Sequence, residues 1–485
     1  MQHPNGKPAT RHIPALTGDG GLPVVVVGAG PVGLAAAAHL LERGLDPLIL
    51  ETGEAGAGVA SWGHVRVFSP WRHNLDAAAV RLLTPTGWRA PDPDGYPTGA
   101  ELRERYLLPL AATPELSARL RLGSRVVALA RHGRDKMKDA GREQAPFEVV
   151  VDHDGRGERL LARALIDASG SVATPNPLGS SGIPAPGEAQ LAAAGRVAYG
   201  MPDVLARPGR YAGGRVLVVG SGHSAMQVLG DLVRLREQAP GTQITWAIRR
   251  AHTSGLYGDQ QGDVLPDRAL LAAAAERLVA TGAVRLVTGV EIHELQATAE
   301  GVLVGHRAGW LGPVDQVVAA TGFRPDLGPL AELRLGLDPA VEAPLALAPL
   351  IDPNVHSCNT VPPHGAAELA HPEPGFYLAG MKSYGRAPTF LMLTGYEQVR
   401  SIAAALAGDV EAARRVELVL PAADACTTDR AAAGTTCSAP TAAAAAAPAC
   451  CGVEVVALGK QPVGAVVGRL PERSPGVRRP RSRRA

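Results

Sequence analysis

The sequence predicts an α/β chain carrying two Rossmann-like three-layer units, and three observations lead there. Val24-Val25-Val26-Val27 is a short β-branched run of the kind buried in a parallel sheet. It enters Gly28-Ala29-Gly30-Pro31-Val32-Gly33, a helix-like segment to Arg43, a Gly44 stop and a second strand, Pro47–Leu50, ending in Glu51. The same order recurs downstream. A strand at Arg215–Gly220 opens Gly220-Ser221-Gly222-His223-Ser224-Ala225, then a helix to about Arg236 and a strand at Ile244–Ile248 ending in Arg249-Arg250.

The remaining elements fall around these units. Phe147–Val151 and Leu160–Ile166 read as β structure leading to Asp167-Ala168-Ser169-Gly170. Val314–Ala320 is a strand ending in Ala320-Thr321-Gly322, Gly375–Gly380 is another, and Thr389–Leu406 has helical character. Residues 1–21 are a polar, Pro- and Gly-rich leader. The expected division is 22–205, 206–320 and 321–408, the first and last forming one domain. Beyond it, 421–449 is mostly Ala, Thr and Pro, and 471–485 is an Arg/Pro/Ser tail. A disordered tail over most of 409–485 is therefore expected.

Composition excludes several classes. The 485 residues carry 48 basic and 46 acidic side chains, too balanced for a nucleic-acid-binding body. The Arg-rich end reads as a solvated tail, so no nucleic-acid partner is expected. No apolar run approaches the roughly 20 residues that span a bilayer, so no membrane partner is expected either. The first residues have no apolar core or cleavage site, and five cysteines do not make a disulfide framework. The expectation is a soluble, cytoplasmic protein.

Each glycine of the first loop has a physical purpose. Gly28 permits the tight strand-to-helix turn, Gly30 lets backbone approach a pyrophosphate, and Gly33 lets helix pack on sheet. The helix N-terminus offers free N–H groups to the anion, and Ala29, Pro31 and Val32 stand beside it in the cofactor-binding set. Glu51 suits a ribose diol and would repel a 2′-phosphate, which points to FAD or NAD. In the second loop the third glycine is Ala225, and no acid ends the next strand. Arg249 and Arg250 stand there instead, and guanidinium groups suit the 2′-phosphate of NADPH.

Two such units in this order resemble the flavoproteins with two dinucleotide-binding domains, over about residues 22–408. The resemblance implies FAD in the first unit and an NAD(P)H domain inserted into the FAD domain. Ala320-Thr321-Gly322-Phe323-Arg324-Pro325 resembles the crossing back to the FAD domain. Asp167-Ala168-Ser169-Gly170 resembles its counterpart before the insertion, and Pro374–Gly380 the closing FAD strand. By this resemblance Trp62, Ser169, Gly170, Gly380, Thr389 and Phe390 join the FAD set, and Thr321 and Gly322 the NADPH set. Most members follow the closing glycine with an Asp that bonds the flavin ribityl chain; here Met381 stands there.

No C-x-x-C or C-x-x-x-x-C lies where disulfide reductases of this superfamily carry it, which excludes thioredoxin-reductase-like chemistry by the usual route. Ser61-Trp62-Gly63 and Val65–Trp71 resemble the stretch that class B flavin-containing monooxygenases fold against the flavin. The usual linker signature of that group is absent, and Ala198–Asp203 occupies its place. The stretch Gly380–Val399 and the late cysteines look like flavoproteins encoded beside arsenic-resistance genes in actinobacteria. The resemblance implies hydride transfer from NADPH to flavin N5, then oxygen and a small-molecule substrate. Trp62, Phe68, Trp71 and Phe390 would keep the pocket dry, and Arg386 or Lys382 would stabilise the negative peroxide.

Two alternatives use the tail. Cys437, Cys450 and Cys451 can form a soft three-thiolate site for a metalloid. A mobile arm bearing them, with Cys426, can also reach the flavin of a partner subunit in a homodimer, making a disulfide- or metalloid-linked reductase. The third reading is a redox or metalloid sensor with little turnover.

Overall fold

The structure is a computed structural model and describes residues 21–258, 265–355, 361–388 and 390–418. Residues 1–20 of the leader, Thr389, Cys358 and the tail cysteines Cys426, Cys437, Cys450 and Cys451 lie outside the described residues.

The first unit opens with β1 (Val24–Val27), α1 (Pro31–Glu42) and β2 (Pro47–Leu50). After a run of short helices come β3 (Leu120–Arg121), β4 (Ser124–Arg131), β5 (Phe147–His153), β6 (Arg156–Ala162) and β7 (Ala164–Asp167). The second unit follows with β8 (Val197–Tyr199), β9 (Arg215–Val219), α2 (His223–Gln238), β10 (Gln243–Ala247), α3 (Pro266–Ala280) and β11 (Arg285–Val287). Its hairpins are β12 (Ile292–Thr298), β13 (Gly301–His306) and β14 (Gly309–Val314), and β15 (Gln316–Ala319) closes its main sheet. The chain then returns to the first unit with β16 (Phe376–Leu378) and α4 (Met392–Leu406).

Two five-stranded sheets result, ordered β16-β7-β1-β2-β3 and β11-β10-β9-β15-β8. Every pairing within them is parallel. The α/β class with two dinucleotide-type units is as expected, the second lying between two parts of the first. A short strand shifts the boundary between them. β8 pairs with β15, so the second sheet takes its edge strand from upstream of residue 206. Three residues, Val197-Ala198-Tyr199, carry too little pattern to announce an edge strand.

Two antiparallel sheets, β4-β5-β6 and β12-β13-β14, cap the main sheets. The expected strand Leu160–Ile166 is divided between β6 and β7 at Arg163, and Val314–Ala320 between β14 and β15 at Asp315. The sequence reads straight through both corners because the apolar residues continue on either side. Asp315 holds its corner: its carboxylate accepts from the Arg215 N–H at 2.7 Å and the Arg215 guanidinium at 2.8 Å.

Packing explains the first unit's core. All four valines of β1 are buried, and Ala35–Ala38 are fully buried on α1. Four small side chains let α1 lie closely between the sheet and α4. No described helix is long and apolar enough to cross a membrane.

Candidate active site

Both glycine loops leave central strands. β1 lies between β7 and β2, and β9 between β15 and β10, so each loop opens where the strand order reverses. Gly28 has φ +99°, and a Cβ there would stand 2.8 Å from the Ala168 carbonyl oxygen. Gly220 has φ +132°, and its Cβ would stand 2.2 Å from the Ala320 carbonyl oxygen. The motifs 167–170 and 320–322 are thus the neighbouring strand ends against which each loop must turn. At Gly30 and Gly222 an added Cβ meets nothing within 4 Å. Those two positions leave an open cradle at the starts of α1 and α2, where the positive end of the helix dipole favours an anion.

Glu51 completes the first cradle. One carboxylate oxygen accepts the Ala29 N–H at 2.7 Å and the other the Gly53 N–H at 2.9 Å. A carboxylate held this way keeps lone pairs for a ribose diol. The donor and acceptor set fits FAD. In the second unit Ala225, fully buried, replaces the third glycine.

A cavity of about 890 Å³ joins the two units. One wall is Gly220–Ser224, Arg249, Arg268, Thr321 and Gly322. The other is Met381, Tyr384, Arg386, Phe390, Leu391 and Thr394. The N-terminus of α4 therefore faces the cavity, placing positive partial charge there. Phe68 reaches across, its ring 5.8 Å edge-on from His223. Ser69 and Asn74 hold the Phe68 loop, with Asn74 Nδ2 donating to the Ser69 and Pro70 carbonyls at 2.8 Å. Tyr384 packs edge-on to Phe390 at 5.2 Å, and burial pushes its hydroxyl well above the ordinary tyrosine range. It remains a proton-bearing phenol at neutral pH.

Several expected residues stand elsewhere. Lys382 does not line the cavity: its ammonium is buried and donates to Asp167 Oδ2 at 2.6 Å, so it is withdrawn from any peroxide. Trp62 packs over Gly99, where a Cβ would come within 2.7 Å of its ring. Trp71 is buried with Arg105 5.7 Å above its ring. Neither tryptophan lines the cavity: Trp71 belongs to the apolar core, and Trp62, half-buried, packs against it. Arg386 does line it, yet its guanidinium is paired with Glu342 at 2.8 and 3.0 Å. Arg249 lines the cavity and donates to the Ser180 carbonyl at 3.0 Å, whereas Arg250 turns to the Ser254 carbonyl outside it.

Gly380 has φ +68° and packs on Val32, and its N–H donates to Gln398 Oε1 at 2.8 Å. Ser169 is exposed beside Gly170 at the end of β7. Sequence reading missed Asn74, Arg268 and Glu342. No motif marks them: the bonds of Asn74 to Ser69 and Pro70 are local, and Glu342 meets Arg386 from 44 positions away.

The sequence profile of FAD-dependent oxidoreductases matches residues 23–440. The chain belongs to the FAD-dependent oxidoreductase family. This oxidoreductase is 30% identical over 323 residues to a ferredoxin–NADP reductase of Salinispora tropica, covering 65% of this chain and 78% of that one. It is 33% identical over 224 residues to the indole-3-pyruvate monooxygenase YUCCA1 of Oryza sativa subsp. japonica, covering 43% of this chain and 45% of the relative. Among solved structures, the bacillithiol disulfide reductase Bdr (YpdA) of Bacillus cereus shares the fold, with a TM-score of 0.58 at 20% identity, over 80% of this chain and 99% of that one.

Proposed function

We propose that the oxidoreductase takes hydride from NADPH at the second loop and passes the electrons, through FAD at the first, to oxygen, oxygenating a small substrate in the shared cavity. The observation that carries this reading is that one cavity runs from Gly220–Ser224 and Arg249 to the apolar wall at Met381, Phe390 and Leu391. FAD, when bound, accepts hydride and hands electrons onward. The chain's own part is to bind, orient and exclude water. The Gly220–Ser224 backbone holds a pyrophosphate, and Arg249 offers a guanidinium to a 2′-phosphate. Phe68, Met381, Phe390 and Leu391 keep bulk water from the reacting end, and the α4 N-terminus steadies negative charge. The monooxygenase relative supports this reading.

A second reading is direct transfer to another acceptor, favoured by the pairing of Arg386 with Glu342, which neutralises the one guanidinium of the Met381–Leu391 wall. The ferredoxin–NADP reductase relative points the same way. The tail thiols proposed as a metalloid or disulfide relay lie outside the described residues.

The test is NADPH oxidation with and without oxygen, while hydrogen peroxide is quantified against a panel of small apolar amines, acids and thioethers. Oxygen-dependent turnover whose peroxide yield falls as labelled oxygen enters a product supports the oxygenase. Oxygen-independent turnover with ferredoxin or a disulfide, and no labelled product, replaces it with the reductase. Removing residues 426–485 then shows whether such turnover needs the tail thiols.

A further inference from the structure

The hydrogen bonds around Lys382 converge on one exposed hydroxyl. Lys382 Nζ donates to Asp167 Oδ2 at 2.6 Å and to Ser169 Oγ at 3.0 Å. Asp167 Oδ1 accepts the Ser169 hydroxyl at 2.6 Å and the Ser169 N–H at 3.1 Å. Lys382 and Asp167 are each 3% exposed at the side chain, whereas Ser169 is exposed. Burying an ion pair costs solvation that only close pairing and further hydrogen bonds offset. Here those further bonds all go to Ser169.

Contacts place Ser169 at the first glycine loop. A Cβ on Gly28 would stand 3.0 Å from Ser169 Cα. The turn bearing Lys382 is pinned to the loop's other side, since a Cβ on Gly380 would stand 3.2 Å from Val32 Cγ2. The network therefore spans the loop that receives FAD.

The polarity of the network limits what Ser169 can bind. Its one hydroxyl proton goes to Asp167, its N–H goes to the same oxygen, and one lone pair is taken by Lys382. A single acceptor lone pair remains. Ser169 can thus accept a hydrogen bond but has none to give, which suits a sugar-alcohol hydroxyl and not a phosphate oxygen. Met381 offers no acceptor of comparable strength at the position after Gly380.

We propose that Ser169 accepts a hydrogen bond from a hydroxyl of the FAD sugar or ribityl chain, and that Lys382 and Asp167 are positioning residues that fix its polarity. This rests on FAD lying at the first loop. The test is the dissociation constant of FAD, from flavin fluorescence during reconstitution of the flavin-stripped protein, alongside thermal melting of the same protein without FAD. Ser169→Ala is expected to weaken FAD by about 10-fold, the worth of one hydrogen bond of this kind, and to lower the melting temperature of the flavin-free protein, because the buried pair loses its bonds to the hydroxyl. Lys382→Met alone strands a buried carboxylate, and an amide at position 167 would still accept the Ser169 hydroxyl, so the pair is removed together as Asp167→Leu/Lys382→Met. That double variant is expected to melt like the parent and to lose the same affinity, and adding Ser169→Ala to it is expected to cost nothing more. A double variant that binds FAD as the parent does, or losses that multiply in the triple variant, overturns the proposal. Gly30→Val tests the loop assignment separately: FAD retained there at parental affinity removes the site on which the proposal stands.

Discussion

At the scale of single residues, two arginines adjacent in sequence have different surroundings. Arg249 points into the cavity and Arg250 out of it. Arg249→Gln is expected to raise the KM for NADPH by about 10-fold while leaving that for NADH nearly unchanged, since a charge-assisted bond to phosphate is at stake. Arg250→Gln is expected to alter neither, and steady-state kinetics with both coenzymes check the pair. Gly220→Ala should be harsher than either. Its Cβ would stand 2.2 Å from the Ala320 carbonyl oxygen at a φ of +132°, a conformation open only to glycine. The expected outcome is retained FAD absorbance with anaerobic reduction by NADPH slowed by at least about 10-fold. Equal reduction rates would remove Gly220–Ala225 from the coenzyme site.

At the scale of elements, a buried charge cluster fastens the antiparallel cap to the returning chain. Glu373 accepts from Arg131 on β4 at 2.7 Å, from Arg142 at 2.6 Å and from the Arg334 N–H at 3.0 Å. All three charged side chains are almost wholly buried, and the Arg131 guanidinium lies 3.7 Å over the Phe147 ring of β5. Two guanidiniums and a backbone donor hold the Glu373 carboxyl below its ordinary range, against the opposing effect of burial, the largest single contribution. Glu373→Gln leaves two buried cations short of an anion. It is expected to cost about 3–5 kcal/mol in denaturant unfolding. A loss under about 1 kcal/mol, the size of a surface pair, would show that the cluster is hydrated. The sequence contained each partner, but residues more than 200 positions apart pair only once β16 lies beside β7.

At the scale of the whole molecule, acid should loosen the first unit before the main carboxylates titrate. Burial pushes His371 down from 6.5 to about 4, with Phe376 of β16 5.5 Å from its ring. His364 is lowered too, chiefly by burial; its Nε2 lies 2.9 Å from Gln398 Nε2 on α4. A neutral imidazole accepts that bond and an imidazolium does not. Between the two pKa values of His371 the unfolded chain binds the extra proton, so stability is full above about 6.5 and falls as pH drops toward 4. The shift corresponds to about 3 kcal/mol. Chemical denaturation at steps from pH 7.5 to 4 should show this decline, and His371→Phe should flatten it. An unchanged slope in that variant would assign the acid sensitivity to other groups. The Glu373 contribution begins to be lost only at the acid end of this range, as pH falls below 4.5.

What the sequence determined by itself was everything carried by short-range steric need. Gly28, Gly30, Gly220 and Gly222, the strands before them and the helices after them are local patterns, because a turn and a helix start are settled within a few residues. Glu51 and Arg249 were legible for the same reason, each ending a strand at a fixed distance from its loop. Tertiary structure decided the rest. Trp62 and Trp71 look alike whether they face a flavin or a core, and packing put Trp71 in the core and Trp62 against it. Lys382 reads as a free cation, yet its carboxylate partner lies 215 positions earlier and reaches it only through the parallel pairing of β16 with β7. Local sequence states what a residue can do; burial and the partner brought alongside by sheet order decide which of those things it does, because charge and hydrogen-bonding groups must be satisfied wherever the chain leaves them.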